Sequence, residues 1–115
     1  MENIEDRTFK FALMIIDVYK YLTANHEYVM AKQILRSGTS IGANVAEAQA
    51  AQSKNDFIAK MSIASKEARE TRYWLRLLEH SQYLEKYNKS DNLNEEINNI
   101  VNIITKIVKT AQQNK

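Results

Sequence analysis

The 115-residue sequence predicts an all-α fold: one domain, residues 1–115, built as an antiparallel up-down-up-down four-helix bundle. Three observations predict it. Apolar residues recur at spacings of four and three along four separate stretches, the signature of one-sided helices. No stretch alternates with period two for long enough to make a strand. There is no proline, so nothing forces a helix to kink or stop. The length suits a single domain, and 44% hydrophobic residues are enough for a core.

The first helix is expected from about Glu5 to Ala24, with Phe11, Ile15, Val18 and Leu22 on one face. Phe9, Leu13 and Ile16 form a second apolar row beside them. The second helix is expected from about Glu27 to Ala51, with Asn25 as its N-cap and Met30, Ile34, Ile41, Val45 and Ala48 inward. Gly38 and Gly42 lie inside it, where each costs about 1 kcal/mol relative to alanine. With Ala46 and Ala50 they form a row of small residues at spacing four, which lets another helix approach closely. A phosphate-loop reading of Gly38–Gly42 fails, since no strand precedes it and no Gly-Lys-Ser/Thr follows.

Ser53-Lys54-Asn55-Asp56 is a capping-box-like start for the third helix, which keeps a strict four-three row from Phe57 to Leu78 and ends near Ser81. The fourth begins near Ser90 or Asp91, with Leu93, Ile97, Ile100, Ile104, Ile107 and Ala111 inward. Gln82–Lys89 is the only long connection; the short joints predict antiparallel neighbours. Gln112–Lys115 are expected to fray.

The composition excludes several chemistries. Zero cysteine removes disulfides, thiolate metal sites and cysteine nucleophiles. The two histidines, His26 and His80, are too few for most metal or triad sites. Glu47, Glu67 and Glu70 resemble the inward carboxylates of di-metal bundles, but no histidine follows a glutamate by three residues. Ser40, Asn44 and Glu47 share a side of the second helix without a base to activate a nucleophile, and are read as a buried hydrogen-bond network between helices or subunits. The expectation is a non-enzyme with no cofactor and no metal. The acidic N-terminus lacks a secretory pattern, and the longest apolar run, within Phe11–Ile16, is far below the ~20 residues that span a bilayer. A cytoplasmic protein with no membrane partner is expected.

The third helix carries a second apolar arc, Ile63, Tyr73, Trp74 and Leu77, centred roughly 120° from its core row. A helix with two apolar arcs is expected to be buried on both sides, so these residues are candidates for a homo-oligomer interface. The alternative is a broad core edge. A third arc carries Arg69, Arg72 and Arg76, with Ser62 and Ser65 nearby, and the second helix adds Lys32 and Arg36. Arginines flanked by hydroxyls suit phosphate contacts. In a single chain with a charge of only +2, a solvated face with intrachain pairs is the plainer reading. Repetition of the surface in an oligomer shifts the balance towards a polyanion.

The segment Gln33–Ala48, QILRSGTSIGANVAEA, and the segment Asp56–Leu75, which includes Lys66-Glu67-Ala68-Arg69-Glu70-Thr71-Arg72-Tyr73-Trp74-Leu75, resemble two signatures of the bacterial four helix bundle proteins, also called 23S rRNA-intervening sequence proteins. The likeness covers nearly the whole chain, with Val45 and Ala48 where isoleucine and glycine are often seen. It implies a left-handed bundle assembled into a ring, typically a homopentamer. It also implies kinship with the accessory variability determinant proteins of diversity-generating retroelements, which bind nucleic acid and a reverse transcriptase. Two functions follow as expectations. One is an oligomeric accessory factor that binds RNA or DNA, with a nucleic-acid enzyme such as a reverse transcriptase as a candidate partner. The other is a structural or regulatory protein-binding adaptor.

Overall fold

The computed structural model describes residues 2–114. Four helices account for most of them: α1 (Ile4–Ala24), α2 (Val29–Gln49), α3 (Lys54–His80) and α4 (Ser90–Gln113). No strand occurs among the described residues. Each helix packs on its neighbours in the chain, and α4 returns to close on α1. Among the described residues the backbones of the diagonal pairs α1/α3 and α2/α4 do not approach closely; these helices meet only through the shared core. Across these seams the residue numbers rise on one helix as they fall on the other. Ile15 meets Gly38 and Thr8 meets Gly42; Arg36 reaches Glu70 while Glu47 reaches Lys60; Arg69 reaches Thr105 while Arg72 reaches Asn98. This is the order of antiparallel neighbours.

The four-three rows form the core. Phe11, Ile15, Val18 and Leu22 from α1 are fully buried, as are Ile34, Ile41 and Val45 from α2. Met61, Ala64, Ala68 and Leu78 from α3 and Ile97, Ile100 and Ile104 from α4 complete it. One polar pair crosses that core. Thr71 Oγ1 donates to Ser37 Oγ at 2.9 Å, and both residues are fully buried.

The ends of the helices match the expected capping at α3 and depart from it at α2. Asn3 caps α1 by accepting the Asp6 N–H at 2.8 Å, and Ser53 caps α3 by accepting the Asp56 N–H at 3.0 Å. The N-cap of α2, however, is not Asn25 but Tyr28, whose side chain makes no capping bond. Asn25 instead closes the end of α1, its side-chain N–H donating to the Tyr21 carbonyl, while Glu27 Oε1 accepts the Met30 N–H. A carboxylate two residues further on can reach the first turn of α2, and the amide is already committed. Lys115, the last of the residues expected to fray, lies outside the described residues; α4 continues through Gln113.

Helices α1 and α3 both end on a residue in left-handed backbone, His26 (φ 66°) and Gln82 (φ 70°). In each case the next N–H reaches back to a carbonyl in the last turn, Glu27 to Leu22 and Tyr83 to Leu78. That is the Schellman closure, made here without glycine. The long connection after α3 is also anchored: Leu84 and Tyr87 are buried, and the Tyr87 ring packs 4.9 Å from that of Tyr21.

Candidate nucleic-acid interface

The five candidate cations do not form one patch, because the helical rotation sends them to different seams. Arg36 leans across from α2 to α3, where its guanidinium pairs with Glu67 at 3.4 Å and with Glu70. Glu70 also accepts the Trp74 indole N–H at 2.9 Å. The two glutamates that could have suggested a metal site thus hold an arginine, and among the described residues no group of three or more metal-ligating side chains occurs. Arg36 is therefore neutralised within the chain. Lys32, one turn earlier on α2, is exposed and has no ion pair among the described residues.

Arg69 and Arg72 lie on the opposite flank of α3 and lean over α4. Arg69 donates to Thr105 Oγ1 at 3.0 Å and Arg72 to Asn98 Oδ1 at 3.4 Å. Both partners are neutral, so the guanidiniums are positioned while their charge stays uncompensated. Arg76 continues the row, exposed and without an ion pair among the described residues. The facing row of α4, Asn98, Asn102, Thr105 and Lys109, is wholly exposed. Lys109 is an addition to the cations that sequence reasoning singles out, although the four-three spacing that orders this row also places it there. Glu79 lies beyond the strip and accepts from Asn94 Nδ2 at 2.6 Å. Polar hydrogen-bond donors and several cations without acids suit phosphate oxygens.

Within one chain, Ser40, Asn44 and Glu47 make no shared network between helices. Ser40 donates to the Ser37 carbonyl and Asn44 to the Ser40 carbonyl, both within α2. Short polar side chains on a helix reach their own backbone more readily than a partner helix. The network between helices is Ser37–Thr71 instead, and Glu47 pairs with Lys60 at 3.3 Å.

The remaining clusters of titratable groups lie on the α1–α4 seam, around two clefts of about 340 Å³ each. Arg7 forms a two-pronged pair with Glu96 at 2.8 and 2.9 Å, which lowers the Glu96 carboxyl and raises the arginine. Tyr87 OH donates to Asp17, which lies 3.3 Å from Lys89. The hydrogen bond from Tyr87 is the main reason Asp17 titrates below its ordinary value; burial chiefly, then that bond, raises the tyrosine. Every one of these groups is already paired, and none sits beside a nucleophile it could activate.

The four apolar interface candidates also separate. Trp74 is half-buried and packs against the core, on the α2 side. Ile63, Tyr73 and Leu77 are exposed on the outer face of α3, where Tyr73, Arg76, Leu77 and His80 line a hollow of about 260 Å³. On α1, Phe9, Leu13 and Ile16 are exposed as well, Phe9 to 64%.

Residues 3–106 match the family of the 23S rRNA-intervening sequence protein. The chain belongs to that family. A crystal structure of a protein of unknown function, from the S23 ribosomal protein family of Bacteroides thetaiotaomicron VPI-5482, is 45% identical to this intervening-sequence family chain. The alignment covers 93% of this chain and 99% of that one, with a TM-score of 0.88. No curated protein matches the chain. Nothing in these names is an enzyme activity. Among the described residues of this family member, no helix is long and apolar enough to cross a membrane.

Proposed function

We infer that the chain is a non-enzymatic subunit of a ring-like homo-oligomer that binds RNA or DNA as an accessory factor through the α3–α4 face. The observation that carries this reading is the contrast between arginines on the two flanks of α3. Arg36 is neutralised by Glu67 and Glu70, whereas Arg69 and Arg72 are held by neutral Thr105 and Asn98. Charges placed and left uncompensated are available to a phosphate backbone. Arg76 and Lys109 extend the strip. A single copy offers few cations, so useful affinity comes from several copies presented together. The pentamer implied by the family resemblance would supply them, and a nucleic-acid enzyme such as a reverse transcriptase is the protein partner consistent with such a role.

Fluorescence anisotropy with a short single-stranded RNA and its DNA equivalent, at about 50 and about 200 mM salt, tests the reading. Binding is expected to weaken steeply with salt, to show little sequence preference, and to fall in the Arg69→Ala/Arg72→Ala variant. Binding that ignores both salt and that variant overturns the surface assignment. Absence of binding at low salt, with assembly intact, supports the alternative of a protein-binding adaptor, to which the exposed apolar faces of α1 and α3 would then belong.

A further inference from the structure

The outer face of α3, turned away from the core, carries a row of its own. Ser62, Lys66, Arg69, Tyr73, Arg76 and His80 recur at spacings of four and three, so they share one side of the helix. None is acidic. Lys66, Arg69 and Arg76 are exposed and make no ion pair among the described residues. The glutamates of α3 lie off the row: Glu67 and Glu70 hold Arg36, and Glu79 accepts from Asn94. Tyr73 is the aromatic within this row, with Arg69 about 6 Å before it along the axis and Arg76 about 4.5 Å after it. The tyrosine is 56% exposed, yet its ring is braced. The Trp74 indole meets it edge-on at 5.5 Å between ring centroids, and that indole is itself held by Glu70. Beside the tyrosine is the hollow of about 260 Å³, completed by Arg76, Leu77 and His80.

We propose that Tyr73 is a stacking platform for an unpaired nucleobase, with Arg69 and Arg76 holding the phosphates on either side, so that the basic face of α3 and α4 takes single-stranded nucleic acid. This deepens the accessory-factor reading above and rests on it. Phosphate contacts serve a duplex and a single strand alike, since both present the same oxygens. An exposed aromatic ring adds affinity only for a strand whose bases are free to leave the stack. A side chain ordered before binding costs less to immobilise, and Trp74 supplies that order. The hollow gives the base apolar surface to rest on, while the row of cations meets its backbone. Every base has a π-face, so the platform adds little sequence preference. A second copy seated face to face on this row would set cations against cations, whereas a nucleic acid brings the opposite charge.

Anisotropy with a deoxythymidine oligonucleotide of about 10 residues, an abasic strand with the same phosphates, and a duplex of the same length tests the platform at about 50 mM salt. The wild type is expected to bind the thymidine strand about tenfold more tightly than the abasic one. Tyr73→Ala is expected to abolish that difference while leaving abasic and duplex affinities unchanged, and Tyr73→Phe to retain it. Circular dichroism confirms that both variants fold. Arg69→Ala/Arg72→Ala is expected to weaken both single strands. Equal wild-type affinity for the thymidine and abasic strands overturns the platform; if both still weaken with salt, the phosphate-binding reading stands. A duplex that loses as much affinity as the thymidine strand in Tyr73→Ala also overturns the platform. So does a Tyr73→Ala protein whose assembled mass falls in light scattering, which assigns the ring to a contact between copies. Absence of binding by all three probes overturns both readings.

Discussion

The Tyr87 hydroxyl donates to the Asp17 carboxylate at 2.5 Å across 70 residues of sequence, fastening the connection after α3 to the middle of α1. Arg7 and Glu96 make a second such tie lower on the same seam. Both carboxyls titrate below their ordinary values, Asp17 chiefly through Tyr87 and Glu96 chiefly through Arg7. A depressed carboxyl stabilises the fold above its unfolded value, about 4, and loses that contribution as pH falls through its folded value. Thermal stability is therefore expected to decline on acidification below about pH 4. Tyr87→Phe should cost about 1 kcal/mol and move the Asp17 titration upward, measured by NMR of the carboxyl carbon. An unchanged Asp17 midpoint would show that the bond contributes nothing in solution.

A Cβ built on Gly38 would stand 2.7 Å from Ile15 Cγ1, and one on Gly42 would stand 3.2 Å from the Thr8 carbonyl oxygen. Alanine at either position gains about 1 kcal/mol of helix propensity. The collision outweighs that gain, so Gly38→Ala is expected to destabilise by about 1–3 kcal/mol, and leucine at either glycine by more. Combining Gly38→Ala with Ile15→Ala should cost less than the sum of the two, because the second removes what the first strikes. Strict additivity in denaturant titrations would contradict the contact.

His26 and Gln82 hold left-handed backbone that glycine adopts without penalty. His26→Gly and Gln82→Gly are each expected to stabilise the protein by about 0.5–1 kcal/mol. A lower melting temperature would mean that their side chains contribute more than the backbone costs.

Arg36→Ala should leave nucleic-acid affinity nearly unchanged while removing the cation shared by Glu67 and Glu70. The arginine is half exposed, so the loss of stability is expected to be about 1 kcal/mol or less and to shrink in high salt. A large fall in RNA binding from this variant alone would move the interface to the α2–α3 flank.

The parts of this fold that repeat are legible in the chain. The rows from Phe11, Ile34, Met61 and Leu93 form the core because burial of one helix face requires that spacing. The small-residue row announces a close helix approach, but only the fold shows that Ile15 and Thr8 fill it. Features without a period are hidden. Leu84 and Tyr87 are buried inside an irregular connection. The Schellman ends carry no glycine to mark them. The site is legible only as residue types. That Arg36 is neutralised and Arg69 is not depends on partners 31 to 36 residues away. Lys109 stands in a polar row whose four-three spacing is as regular as that of the core, yet a polar row carries no hydrophobic signal to draw attention to it.

The seam between α1 and α4 is much the thinnest of the four. Every other seam joins helices adjacent in the chain, so its contacts form without closing a long loop. This one seals the two ends of the sequence together: Arg7–Glu96 ties the two helices directly, and Asp17–Tyr87 ties α1 to the connection that leads into α4. Local contacts favour fast folding, so this closure is expected to be the slow and final step. The same seam is expected to open first in the native state, so amides along α1 should exchange with solvent sooner than those of α2 and α3, measured by hydrogen exchange.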